Sequence, residues 1–117
     1  MFARLMGLKT ISPARLHELM QTGSAIAIDV NSRESWIAAR VPGARHLDPL
    51  SYGQGELPPG KGAPLVFYCS NPLCRKAPTA ARRAEAMGYT NVHVMSAGIR
   101  GWRRASLPTE SGDPPPS

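Results

Sequence analysis

The stretch PLVFYCSNPLCRKAPTAARRAEAM, residues 64–87, decides the fold. Its first six residues, PLVFYC (64–69), are an apolar run rich in β-branched and aromatic side chains, which predicts a strand. Its last ten, PTAARRAEAM (78–87), predict a helix. Ala80, Ala81, Ala84 and Met87 share one side, and Arg82, Arg83 and Glu85 face outward. Pro78 suits the first helical turn, where its missing N–H is no loss, and it disfavours helical backbone at Ala77. Gly88 is a usual terminator. Between strand and helix lie eight residues without a glycine, and Cys69 stands at the junction.

The flanking segments repeat the alternation. ISPARLHELM (11–20) predicts a helix capped by Ser12, with Pro13 in its first position and Leu16, Leu19 and Met20 on one face. AIAIDV (25–30) predicts a strand buried on both faces. SRESWIAARV (32–41) predicts a second helix, capped by Ser32, with Trp36 and Ile37 inward and Pro42-Gly43 at its end. ARHL (44–47) predicts a brief strand, 49–63 a surface loop, TNVHVM (90–95) a strand and AGIRGW (97–102) a last short helix. Strands alternating with helices predict an α/β domain, with a central, mostly parallel sheet and helices on both faces. One domain is expected over 1–104. Residues 105–117 read as a Pro-rich, disordered tail.

Bulk properties narrow the function. A formal charge of +6, from eleven Arg and three Lys in 117 residues, is scattered rather than clustered. It implies a mild attraction for anions and no nucleic-acid partner. No apolar window is long enough for a membrane span, and the N-terminus lacks a signal-peptide core. Two cysteines make no disulfide framework, so a cytoplasmic chain with free thiols is the expectation. Two cysteines five apart with no nearby histidine give no metal site, and no cofactor motif is present.

In open α/β sheets ligands bind beyond the carboxyl ends of the strands, which is where Cys69 lies. The amides from Ser70 to Ala77 can curl around its sulfur, because the first N–H groups of a helix have no partner inside it. The same field favours thiolate over thiol, and Arg75 folded over the loop adds to it. The expectation is a Cys69 substantially ionised at neutral pH, beside a cradle for an anion. Lys76 reads as solvated. Asp29 reads as a turn cap with a supporting position near the strand ends. His17 and His93 read as structural or exposed, His46 as a strand-end residue for which a structural place is favoured over lining the site, and Trp36 and Trp102 as packing.

These residues carry a family resemblance. FYCSNPLCRKAPTAARRAEAMGYTNVHVMSAGIRGW (67–102) resembles the second half of a rhodanese-like domain: a strand ending in Cys, a loop into an Ala-rich helix, GYTNV, then a G-I-x-x-W segment. IDVNSRESWIAARVPGARHLD (28–48) resembles its first half, with Asn31 where an arginine is usual and Ala39-Arg40 where Gly-His is common. The similarity spans about residues 8–104. The resemblance implies sulfur transfer. Cys69 would attack the outer sulfur of a small anionic donor such as thiosulfate, hold a persulfide and pass it to a thiophilic acceptor, a thiol or a protein. The implied active loop is Ser70, Asn71, Leu73, Cys74, Arg75, Lys76 and Ala77, with Arg75 for a sulfonate-like group. The C-x4-C spacing resembles a subgroup with a second loop cysteine. Cys74 is then either a resolving thiol or a small inward loop residue. Cys69 and Arg75 also fit C-x5-R, the pattern of cysteine-dependent phosphatases and arsenate reductases. A third reading is a non-catalytic rhodanese-like binding module.

Overall fold

The computed structural model describes residues 2–113, apart from the side chains of Phe2 and Leu5. The elements run α1 (Phe2–Leu5), β1 (Lys9–Thr10), α2 (Pro13–Gln21), β2 (Ile26–Asp29), α3 (Arg33–Ala38), β3 (Arg45–His46), β4 (Leu65–Tyr68), α4 (Lys76–Ala86), β5 (Val92–Val94) and α5 (Gly98–Arg104). The sheet order is β1-β5-β4-β2-β3, and every neighbouring pair is parallel. The expected mostly parallel α/β sheet is thus present.

Alternation along the strands loads both faces. Ile28, Leu65, Phe67, Val92 and Val94 pack beneath α1 and α4, with Ala80, Ala81 and Ala84 fully buried against them. Small side chains let α4 lie close to the sheet, where a larger residue would cost about 1–3 kcal/mol by overpacking. Ala27, Val66 and Tyr68 point the other way, onto Leu16 of α2 and Trp102 of α5. Register then aligns the strand ends. Asp29 pairs with Tyr68, and Phe67 with Val94, so Asn31, Cys69 and Ser96 emerge along one rim.

Ser12 and Ser32 cap α2 and α3 as expected, accepting N–H from Arg15 at 3.1 Å and Ser35 at 3.2 Å. Three segments depart from the pattern. The helix α4 starts at Lys76, two residues before Pro78, so Ala77 is helical. The proline still lies in the first turn, where no N–H partner is needed, and the small Ala77 tolerates the neighbouring ring. The helix α3 stops at Ala38 rather than running to Val41. Ala39 is extended, and Arg40 bridges Glu110 in antiparallel fashion. Residues 49–63 are not merely a surface loop: Tyr52 and Leu57 are buried, and the Tyr52 hydroxyl donates to Ala80 O at 2.6 Å.

The expected disordered tail is held as far as Asp113. Gly112 N donates to Ile37 O at 2.8 Å, and Trp102 Nε1 donates to Pro108 O at 2.7 Å. The buried Arg40 guanidinium donates to Glu110 Oε1 at 3.1 Å and to Gly112 O at 2.8 Å, and lies 4.1 Å from the Trp36 ring centroid. A polar tail cannot build its own core, but a buried cation gives it partners. Residues 114–117 lie outside the described residues.

Candidate active site

Cys69 follows the last residue of β4 and is 3% exposed, in the layer under α4. Its carbonyl accepts Ile99 N–H at 2.9 Å, and Ser70 O accepts Arg100 N–H at 3.0 Å, so α5 pins the start of the loop. The contact is close because residue 98 is glycine. A Cβ there would meet Ser70 C and O at 2.5 Å and Asn71 N at 2.6 Å. Asn71 to Cys74 then form a tight turn. Cys74 N donates to Asn71 O at 3.1 Å, Leu73 N donates to Asn71 Oδ1 at 2.9 Å, and Pro72 sits at the corner. The turn folds Cys74 back toward Cys69, and the two thiols line one crevice, close enough to influence each other's ionisation.

The expected amide cradle is present only in part. The Ser70 and Ala77 amides favour negative charge on the Cys69 sulfur. Ala77 is the second residue of α4, so a free N–H of the helix start serves the thiol. The Leu73 and Cys74 amides are spent inside the turn, and Pro72 has none. The crevice lined by Cys69, Asn71, Cys74, Ala77 and Ser96 measures only about 10 Å³.

Burial works against the ionisation expected of Cys69. It pushes the thiol up to about 12, and the Cys74 thiol beside it adds to this, against the Ala77 and Ser70 amides. Cys74 shifts the other way. Partial burial opposes its thiolate, but the Cys69 thiol, the Lys76 and Ser70 amides and the Lys76 charge outweigh that and hold it below the usual thiol value. Burial thus opposes charge on Cys69 more than on the more exposed Cys74. Sequence reasoning weighed the helix-end amides but had no measure of desolvation.

The remaining candidates fall around this pair. Arg75 is exposed, immediately before α4. Lys76 opens α4 and lines a cleft of about 410 Å³ with Asn31, His46 and Leu50. Leu73 is exposed at the loop tip. Asp29 is fully buried, and burial raises its pKa, against hydrogen bonds from Tyr68 and Asn31. Its Oδ1 accepts Asn31 N–H at 2.8 Å, while Oδ2 has the Tyr68 hydroxyl nearby and no well-formed bond among the described residues. Asp29 reaches the loop only through Asn31, whose Oδ1 accepts Ser70 Oγ–H at 2.8 Å. His46 Nε2 lies 2.7 Å from Asn31 O. His17 packs edge-on to Trp102, away from the loop. Sequence reasoning did not single out Asn31 or Gly98 as loop supports. The departure from arginine at 31 was the available signal for the first, and the G-I-x-x-W segment for the second.

A second cleft, about 530 Å³, borders Ser70 and Asn71 and is walled by Arg100, Arg103 and Arg104. These three side chains make the surface beside the loop cationic, which suits anions. Among the described residues no three His, Cys, Asp or Glu lie together as a metal cluster, and no helix is long and apolar enough to cross a membrane.

Comparison with known proteins agrees with this geometry. The family model described as rhodanese-like domain matches residues 12–105. A thiosulfate sulfurtransferase GlpE of Actinobacillus succinogenes is 34% identical over 106 residues, covering 91% of this chain and 94% of that protein. The human single-domain sulfurtransferase TSTD1 superposes with a TM-score of 0.68 at 26% identity, over 81% of this chain and 95% of that one. The BH2092 protein of Bacillus halodurans shares the fold, with a TM-score of 0.80 at 23% identity, over 88% and 77% of the two chains. The family model and the relatives agree over most of the chain, and the chain belongs to the rhodanese-like domain family, as a sulfurtransferase of rhodanese type.

Proposed function

We propose that this sulfurtransferase takes the outer sulfur of a small anionic donor of the thiosulfate class as a persulfide on Cys69 and passes it to a thiophilic acceptor, a thiol or a protein. The observation that carries the reading is Cys69 at the carboxyl end of β4, immediately before a loop that leads into the start of α4, with the Ser70 and Ala77 amides favouring negative charge on its sulfur. GlpE, the similar enzyme of Actinobacillus succinogenes, bears the name thiosulfate sulfurtransferase, which supports the donor class.

The first step draws on Cys74 in its thiolate form: Cys69 passes its proton to that thiolate as it attacks the outer sulfur of the donor. The donor's S–S bond breaks and sulfite leaves. Cys69 then carries S–S⁻ and Cys74 carries the proton, so charge and atoms balance. The Ser70 and Ala77 amides stabilise the negative sulfur as it develops, in a site that excludes water. Lys76 and Arg75 supply positive charge for the sulfonate side of the donor. The crevice of about 10 Å³ has room for about one water at most, so the turn over Asn71–Cys74 opens to admit the donor. Two reduced thiols suit a reducing compartment such as the cytoplasm.

The rival C-x5-R chemistry of phosphatases and arsenate reductases gains no support here. Ester hydrolysis needs an acid presented to the leaving group. Asp29 is locked under the loop, bound to the Asn31 amide. The test is thiocyanate formation from thiosulfate and cyanide. Wild type is expected to produce it and Cys69→Ser to lose it. Equal rates in the two chains would remove the assignment.

A further inference from the structure

We propose that Cys74 resolves the Cys69 persulfide: its sulfur attacks the Cys69 sulfur, expels hydrosulfide and closes a Cys69–Cys74 disulfide within the active loop. This rests on the persulfide reading above and gives the site a second outcome, reductive release of sulfide, beside transfer to an acceptor.

The geometry starts with the turn. Asn71 binds Cys74 N–H with its carbonyl and Leu73 N–H with its side chain, which reverses the chain between the two cysteines. Upstream, Cys69 O and Ser70 O are held by the Ile99 and Arg100 amides. Downstream, Cys74 leads directly into α4. Both ends of the turn are therefore fixed, and the two thiols line one crevice and pack in one cluster, each free of any disulfide in this structure. The groups brought together there are the two cysteine side chains themselves. In a persulfide, the Cys69 sulfur is the inner one, so attack from Cys74 falls on the atom whose loss of the outer sulfur yields a disulfide. Both cysteines line the same narrow crevice, together with Asn71, Ala77 and Ser96.

The step balances. Cys69–S–S⁻ and Cys74–SH become Cys69–S–S–Cys74 and HS⁻. The sulfane sulfur is reduced to sulfide, the two cysteine sulfurs are oxidised together, and the Cys74 proton leaves on the hydrosulfide. Exchange of this kind is fast when the attacking sulfur is readily ionised and the partner sulfur is exposed to it. The lowered pKa of Cys74 supports the first condition. A thiophilic acceptor that arrives earlier takes the outer sulfur and leaves both thiols reduced. Otherwise the loop waits as a disulfide until a dithiol reductant reopens it.

The test is one turnover with thiosulfate, in the absence of cyanide and added thiol, followed by acid quench and intact-mass analysis with sulfide measured in parallel. Wild type is expected to end two hydrogens lighter, with one sulfide released per chain. Cys74→Ser and Cys74→Ala, incubated until loaded, are expected to keep one extra sulfur and release no sulfide. Dithiothreitol should restore the wild-type mass. A wild type that holds the extra sulfur as long as the Cys74 variants do, with no sulfide, overturns the inference and leaves the persulfide reading standing. An extra sulfur mapped to Cys74 overturns it equally. Cys74 variants that never gain a sulfur, together with a wild type that shows neither sulfur gain nor sulfide, bring down the persulfide reading and this inference with it.

Discussion

Replacing Gly98 by alanine tests what seats the active loop. Gly98 has φ +68°, and a Cβ there would lie 2.5 Å from Ser70 C and O and 2.6 Å from Asn71 N. Gly23 has the same φ, +68°, and nothing within 4 Å of its Cβ position. The two substitutions share backbone strain and differ in the contact. Left-handed backbone costs an alanine roughly 1–2 kcal/mol, and the stiffer unfolded chain returns about 0.4–1 kcal/mol. Gly23→Ala should therefore destabilise by roughly 0.5–1 kcal/mol. At Gly98 the new methyl meets main-chain atoms that cannot rotate aside. Overpacking of that kind adds about 1–3 kcal/mol, for roughly 2–4 kcal/mol in all. Urea unfolding of both variants, compared by midpoint at constant slope, reads the difference. The atoms displaced belong to Ser70 and Asn71, so the Ser70 amide should shift from the Cys69 sulfur. Thiocyanate formation should drop in Gly98→Ala and hold in Gly23→Ala. A Gly98→Ala chain as stable as Gly23→Ala and as active as wild type would refute the idea that this close approach sets the loop.

Three further outcomes are expected. At neutral pH, iodoacetamide should label Cys74 first and Cys69 slowly, because burial lifts Cys69 to about 12 while Cys74 is held low. Peptide mapping across about pH 6–10 checks this, and Cys69 labelled first at neutral pH contradicts that order. Arg40→Ala should cost roughly 2–4 kcal/mol, because it strips donors from Glu110, Trp36 O and Gly112 O and removes the cation from the Trp36 ring. The Gly43 amide, with Arg40, holds the Glu110 carboxyl below 4.5 against partial burial. Its share is therefore full above 4.5 and fades as pH falls through the lowered value, so Glu110→Gln should lose less stability relative to wild type in acid than at neutral pH. Thermal melts of both variants at the two pH values measure it, and a Glu110→Gln effect that grows in acid contradicts the pairing.

The order of strands and helices was legible in the residues because it depends on short-range pattern. An apolar run before Cys69, a proline in the first turn and alanines on one face of α4 are enough to place β4, the loop and α4. The position of Cys69 at the rim follows from parallel pairing alone. Burial, by contrast, is a property of the assembled chain. Two cysteines five apart look alike in sequence, and only packing under α4 makes one of them a protected thiol and the other the more readily ionised. The support of the loop by Asn31 and Gly98 joins residues 39 and 27–28 positions away from Ser70 or Asn71, which no local pattern encodes. The last turn of the predicted α3 helix and the tail were decided the same way, by the buried charge of Arg40 choosing Glu110 as its partner. Local propensity sets which segments form; long-range desolvation and contact set which sulfur carries charge, and hence the chemistry.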